Sequence, residues 1–244
     1  MSVIDEFRIA VAAAEAELPD PELLPERLAR ACAAVLPVDG AGISLFFAPD
    51  RRLPLGASDP ESVRAERLQF TLGEGPCLAS YEEGRPLVAD EETLRSRWPV
   101  FYDALVTETS IRGTVSLPLG EELTGIGAVD LYLIPPSDIT ALRLQDAMAV
   151  TDEIAAAFRD RIGGARPESE GPAWLDAPGA QRRSVVWQAL GFVNSGLGVS
   201  TTDALAILRV HAFVQGQDLD ELAQQVVDRE VPLESLALDQ DIIG

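Results

Sequence analysis

The sequence predicts an α+β protein: an N-terminal domain with an antiparallel sheet of about six strands and flanking helices, then an all-α module of three helices. Three observations carry this prediction. Over residues 21–161, short apolar or alternating runs of strand type are interleaved with helical periodicities. From Ala180 to about Leu236 only helical periodicity remains, divided by glycines that can end a helix. Between the two, IGGARPESEGPAWLDAPG replaces periodicity with glycine, proline and charge, the composition of a linker. The expected divisions are an N-terminal helical segment (1–20), the mixed domain (21–161), a linker (162–179), the three-helix module (180–236) and an acidic tail (237–244).

In chain order, Glu22–Leu36 reads as a helix. Gly42–Phe47 places Ile43, Leu45 and Phe47 on one face of a half-buried strand, and Arg52–Ala57 can pair with it across a turn at Pro49 and Asp50. Further strands are expected at Arg67–Leu72, Pro86–Asp90, Gly113–Leu119 and Gly127–Ile134. Within Leu68–Asp90, Gly73 and Gly75 permit a tight turn, Pro76 suits the first turn of a helix and Gly84 can end it, giving strand, turn, two-turn helix and strand. Ser137–Arg161 reads as one long helix with Leu142, Leu144, Ala147, Met148, Ile154 and Phe158 on a broad stripe, long enough to act as a lever toward the C-terminal module.

In that module the first helix is expected through Ser184–Ser195, with Gly196 as its left-handed stop. Ser200 and Asp203 form a capping pair for the second helix, whose Leu205, Leu208 and Ala212 share a face until Gly216. Asp218 and Glu221 repeat the pair ahead of Leu219, Leu222, Ala223, Val226 and Val227. A glycine inside a helix costs about 1 kcal/mol relative to alanine, so Gly191 implies close approach of another helix or of a ligand backbone.

Two segments resemble known families. Gln188, Ala189 and Gly191 fit the Q-A-x-G signature of the ANTAR domain, Ala204, Leu208, Arg209 and Ala212 fit its second helix, and Leu222, Ala223 and Val226 its third. The position between alanine and glycine, usually basic in that family, is Leu190 here. The L-G-E-G-P-C run ending at Cys77, the later G-R-P, Arg97-Trp98-Pro99 and the strand Gly127–Tyr132 fall in the order of a GAF domain, in the form common beside ANTAR modules in actinobacteria. The resemblance implies a GAF-like sensor, with a small-molecule ligand of unknown identity, controlling an ANTAR-like module that binds stem-loop RNA in nascent transcripts and favours antitermination. It also implies a homodimer in which helices 22–36 and 137–161 form a bundle with a second chain.

Composition sets a condition on the RNA. The net charge is −21, all 19 basic residues are arginine, and from Ala180 onward four arginines face nine carboxylates. Nucleic-acid affinity draws on cations that neutralise phosphates, but with a Debye length of about 8 Å a local arginine cluster acts separately from distant carboxylates. Arg182, Arg183 and Arg209, with Gln188, are the candidate RNA contacts. The alternative is a protein-interaction regulator whose module no longer binds RNA.

In the mixed domain the ligand-pocket candidates are Cys77, Trp98, Tyr102 and Asp130. Cys77 opens a short helix, where a thiolate is favoured, yet its default role is a small buried apolar group. Glu74 is either a ligand group or a carboxylate that complements the dipole of the helix after it. Trp98, Phe101 and Tyr102 either line a pocket or pack. Asp130 aims either into the same space or outward, solvent being the default. His211 is expected in solvent or in helix packing.

Two cysteines, Cys32 and Cys77, and one histidine exclude a disulfide framework or a multi-histidine metal site. With no paired acid and base, nucleophile triad or nucleotide-binding glycine motif, neither enzymatic activity nor a cofactor is expected. No run of about eighteen apolar residues occurs, and Met1–Pro25 lacks the features of a signal peptide. A cytoplasmic location with neither membrane nor DNA as partner is the expectation.

Overall fold

The computed structural model describes residues 1–46, 52–120, 126–162 and 172–237. Helices α1 (Val3–Glu17) and α2 (Leu24–Val35) lead into strands β1 (Gly40–Phe46) and β2 (Arg52–Ala57). Helices α3 (Pro60–Leu72) and α4 (Pro76–Glu83), strand β3 (Leu87–Ala89), helices α5 (Glu91–Arg97) and α6 (Pro99–Glu108), and strands β4 (Gly113–Pro118) and β5 (Gly127–Leu133) follow. Helix α7 (Leu144–Ile162) completes the mixed part, and α8 (Pro178–Leu197), α9 (Thr201–Gln215) and α10 (Leu219–Val227) form the C-terminal module.

The sheet has five strands in the order β2-β1-β5-β4-β3, every neighbouring pair antiparallel. Its four longer strands are buried on both faces, and alternation gives the two faces opposite chemistry. Ile43, Leu45, Leu53, Leu55, Val115, Leu117, Val129, Leu131 and Leu133 meet α1, α2 and α7 in the main core. The intervening Ser44, Arg52, Thr114, Ser116, Asp130 and Tyr132 are just as buried, but polar. Pro54 has no N–H to donate and sits in an edge strand at a register shift between β1 and β2, where that loss is tolerated.

The expected sixth strand, Arg67–Leu72, is the end of α3. Asp59 accepts the Ser62 amide at 3.0 Å and Pro60 stands at the first helical position, so the start signal is strong. The alternation of Leu68, Phe70 and Leu72 that resembles a strand has another cause. The helix is wedged between two apolar bodies: Leu68 and Leu72 pack with the α5–α6 aromatics, while Phe70 packs into the C-terminal module.

Other boundaries shift for local reasons. Pro21–Leu23 and Ile139–Ala141 are single 3-10 turns, so Leu142 precedes α7 and does not lie within it. The expected turn at Pro49 and Asp50, and Phe47, lie outside the described residues, as do residues 163–171 of the expected linker and residues 238–244 of the acidic tail. The lever role of the long helix falls on that linker and is not described. Residues 173–176 form a 3-10 turn whose Trp174 packs edge-on to Phe158 with ring centroids 5.1 Å apart, so this part of the expected linker belongs to the main core. The apolar sides of α2 and α7 are likewise spent within the chain, with Leu144 and Met148 left exposed on α7.

In the C-terminal module α8 runs past Gly196 to Leu197. Gly198, not Gly196, takes the left-handed stop, at φ +68°. A Cβ at Gly196 would instead collide with Leu233, which folds back on the helix. Ser200 caps α9 through the Asp203 amide at 3.1 Å, and Gly216 ends it at φ +64°, both as expected. Among the described residues no single helix is long and apolar enough to cross a membrane; α8 and α9 pass that test only together, and they meet at 108°.

Candidate functional site

The polar face of the sheet is roofed by α3 and α4, and its side chains form one buried charge network. Arg52 is 2% exposed; its guanidinium pairs with the Glu66 carboxylate, donates to the Glu66 carbonyl at 2.9 Å and lies 3.5 Å from Asp130. Glu66 also accepts from Ser44 at 2.9 Å and from the Tyr132 hydroxyl at 2.6 Å. Asp130 accepts from Ser116 at 2.5 Å and from Gln69 at 3.0 Å, and the Gln69 oxygen takes the Cys77 amide at 2.9 Å. Two glycines make room. A Cβ at Gly42 would overlap Glu66, and Gly75, at φ +137°, leaves space for the Gln69 oxygen.

One guanidinium cannot neutralise two carboxylates in a medium that penalises net charge. Burial pushes the Asp130 carboxyl up to about 7, the Glu66 charge adds to that push, and Arg52 opposes it. Burial likewise lifts the Cys77 thiol well above its ordinary value, so this thiol is a packed, protonated group. The network therefore holds a proton at Asp130 that is exchangeable near neutral pH. Between the ordinary value of 3.8 and about 7 the folded chain retains that proton while the unfolded chain releases it. Folding is therefore expected to lose stability as pH rises through this interval, with a steepest slope of about 1.4 kcal/mol per pH unit from this group. Urea denaturation of wild type and Asp130→Asn between pH 4 and 8 checks this: the variant should lack that component of the slope and be the more stable at pH 8.

The outer face of α3 meets the C-terminal module. Phe70 is 1% exposed and stands among Val186, Ala189, Leu208 and Leu219. Arg183 lies over its ring at 3.6 Å and Arg209 at 5.8 Å, while the Arg209 Nε donates to the Phe70 carbonyl at 3.2 Å. Gly73 is needed twice here: its φ is +70°, and a Cβ would sit 2.6 Å from an Arg209 nitrogen. In the other direction, Arg64 and Arg67 of α3 reach Asp218 at 2.5 and 3.3 Å, and the Leu219 amide donates to Thr71 Oγ1 at 3.2 Å. Asp218 is thus not the side-chain cap expected for α10. Its carboxylate is committed to the α3 arginines, and Thr71 takes the orphan amide in its place.

Neither the family models nor the curated proteins yield a match to this chain. Among solved structures, it is similar to the GAF domain of an Acinetobacter phosphoenolpyruvate-protein phosphotransferase, with 15% identity, 68% of this chain and 97% of that one covered, and a TM-score of 0.46. It is also similar to the N-acylhomoserine lactone-dependent LuxR-family transcription factor CepR2 of Burkholderia cenocepacia, with 17% identity, 64% and 92% coverage and a TM-score of 0.46. Escherichia coli SdiA covers more of the chain, 94% against 92% of its own, at 14% identity and a TM-score of 0.39. At such low identity, what those proteins bind is a property of theirs.

Of the expected pocket residues, Cys77 and Asp130 come together at the network, whereas Trp98 and Tyr102 do not join it. The two aromatics pack with Phe101 and Leu105, and the Tyr102 hydroxyl is taken by Glu91 at 2.6 Å and Arg95 at 2.8 Å. Asp130 is 1% exposed, so the default of a solvent-facing carboxylate fails: strand alternation does turn it away from the main core, but toward a second roof of helices. Glu74 accepts the Phe101 amide at 3.1 Å, capping the first turn of α6 and not the helix that follows it. Among the described residues no group of three or more histidine, cysteine or carboxylate side chains is placed to hold a metal.

Of the expected RNA contacts, Arg183 is buried and paired with Asp220 at 2.5 Å, Arg209 is partly buried on Phe70, and Arg182 and Gln188 are exposed. Leu190 is a core residue of the three-helix bundle, 3% exposed, so a charge at that position would have no solvent to reach. His211 is partly buried within the module. Gly191 departs from expectation, since a Cβ there would meet nothing within 4 Å. Its helical penalty is not offset by any neighbour among the described residues. Gly191→Ala is expected to stabilise the protein by about 1 kcal/mol, read as an increase in the denaturation midpoint.

Arg52, Glu66, Gln69 and Phe70 are residues of this arrangement that the sequence does not single out, and Asp218 is singled out only as a cap. A signal for Arg52 exists: Ser44, Arg52, Ser116 and Asp130 are polar positions alternating with apolar ones in strands that have helices to cover both faces.

Proposed function

We propose that this chain is a non-enzymatic, signal-responsive regulator in which a GAF-like α/β domain controls an ANTAR-like helical module, and that the docked arrangement is its resting state. The observation that supports this most directly is the double use of α3. Glu66 and Gln69 point into the buried network, while Arg64, Arg67, Phe70 and Thr71 hold the module, all within eight consecutive residues. A change in protonation or packing on the inner face displaces the same turns that grip α8–α10. Release of the module would uncover Arg183 and Arg209 beside the already exposed Arg182 and Gln188. Arg182, Arg209 and Gln188 would then face phosphates of a stem-loop RNA, with Arg183 still paired to Asp220 of the same module, in keeping with the antitermination role that the ANTAR resemblance implies.

The test is binding of a tandem stem-loop RNA at moderate salt by wild type, by Phe70→Ala, and by Phe70→Ala combined with alanine at Arg182, Arg183 and Arg209. Wild type should bind weakly, Phe70→Ala more tightly, and the combined variant not at all. If Phe70→Ala binds no better than the combined variant, RNA is not the partner. A second reading has its own observation: Val210, Phe213 and Val214 form an exposed apolar stripe on α9, which favours a protein partner in an acidic setting. That reading takes over if the released module ignores RNA.

A further inference from the structure

A cavity of about 660 Å³ opens where the edge strand β2 meets α2, α3 and the start of α8. Its size suits a small organic ligand. The floor is backbone. Gly179 brings the first turn of α8 so close to β2 that a Cβ would stand 2.7 Å from the Pro54 carbonyl, so α8 covers the sheet edge and leaves the cavity beside it. The mixed domain contributes Arg64 and Arg67 to the walls, and the C-terminal module contributes Arg182 and Arg183.

Of the four carboxylates that line the cavity three are paired or capping, and Glu22 forms no ion pair among the described residues. Glu66 pairs with Arg52, Glu26 with Arg30 at 2.6 Å, and Asp59 caps α3 through the Ser62 amide. Among the described residues Arg182 forms no ion pair, and the buried Nε of Arg67 has no hydrogen-bond acceptor. The first turn of α8 lies at the cavity wall and adds to this positive side: Ala177 offers no side-chain cap, the first turn holds no acidic residue, and its amides begin at Gly179 because Pro178 has none. The electrostatic cost is visible at the arginines. Partial desolvation, then repulsion from Arg67, lowers the Arg182 pKa, and burial, with repulsion from Arg52, Arg67 and Arg182, pushes Arg183 down to about 9 against the pull of Asp220.

We infer that this cavity is a binding site for a small organic oxyanion, phosphate- or carboxylate-bearing, held between Arg67 of the mixed domain and Arg182 with the α8 amides of the C-terminal module. Such a ligand bridges the two parts and favours the docked state, because its two sets of contacts exist together only there. The site touches the buried network at Glu66, but its occupancy is measured without RNA, so its failure would leave the RNA reading untouched.

The experiment is calorimetric titration of the full chain with pyrophosphate and, in a second arm, citrate, each matched by sodium chloride of equal ionic strength. One equivalent should bind in at least one arm, and the arm that binds identifies the phosphate or the carboxylate source. Arg182→Ala should weaken that binding by at least about tenfold, the loss of one charge-assisted contact. Arg143→Ala, which removes an exposed arginine just before α7 that pairs with Asp146, serves as the control and should leave affinity unchanged. The inference is overturned if neither anion binds above the salt control, or if the two variants bind alike.

Discussion

Phe70→Ala is expected to destabilise the chain by about 3–5 kcal/mol, the range for emptying a buried aromatic site, and to place most of that loss in the docking of the C-terminal module. The ring supplies the contact on which Val186, Ala189 and Leu208 close, and Arg183 lies on its face. A buried cation on an aromatic ring adds about 0.5–2 kcal/mol to what the lost area implies. The three helices keep a core of their own, with Leu190, Val193, Leu205, Leu222 and Val226 packed together, so the variant should loosen the module without melting it. Hydrogen exchange followed by mass spectrometry checks the distribution: α8–α10 should exchange faster than in wild type, while β1 and β5 keep their protection. Unchanged exchange in α8–α10 would mean that Phe70 does not hold the module.

Arg52→Met carries the second large effect. Removing the cation leaves Glu66 and Asp130 buried with no opposing charge and abolishes the bond to the Glu66 carbonyl. Breaking a buried pair in this way costs about 3–5 kcal/mol, whereas replacing all its members by neutral groups of similar volume is often near neutral. The single variant should therefore be severely destabilised at pH 8, and Arg52→Met combined with Glu66→Gln and Asp130→Asn should recover most of the loss. The single variant should also gain stability as pH falls toward 5, because protonation of the stranded carboxylates removes the uncompensated charge. Urea denaturation of both variants at pH 5 and pH 8 separates these outcomes. A triple variant no more stable than the single one would show that packing, not charge, is what Arg52 supplies.

The sequence made the helical caps and the apolar face of the sheet legible, because both follow local rules. Ser200 and Asp203, Gly216, and the alternation of Ile43 and Leu45 all act within a few residues of themselves. The features it hid are those set by a distant neighbour. Phe70 reads as one member of an alternating strand until the module that buries it is in place. Asp218 reads as a helix cap until Arg64 and Arg67, about 150 residues earlier in the chain, claim its carboxylate. Asp130 reads as solvent-facing because the usual sheet has one wet face, and here α3 and α4 dry it. Gly191 is the reverse case: local rules demand a neighbour that the described residues do not provide.

The central claim is that α3 joins the buried network to the docked module. A double-mutant cycle between Asp130→Asn and Asp218→Ala tests it most directly. These side chains share no hydrogen-bond or ion-pair partner among those described: Asp130 is held by Arg52, Gln69 and Ser116, and Asp218 by Arg64 and Arg67. The element that contributes partners to both is α3, through Gln69 on one side and Arg64 and Arg67 on the other. Independent sites add within about 0.5 kcal/mol, while coupled ones depart from additivity by about 0.5–3 kcal/mol. The account predicts an interaction energy of at least about 1 kcal/mol in urea denaturation at pH 8. Additivity within about 0.5 kcal/mol would contradict it, leaving a network and a docked module that share a helix without sharing a signal.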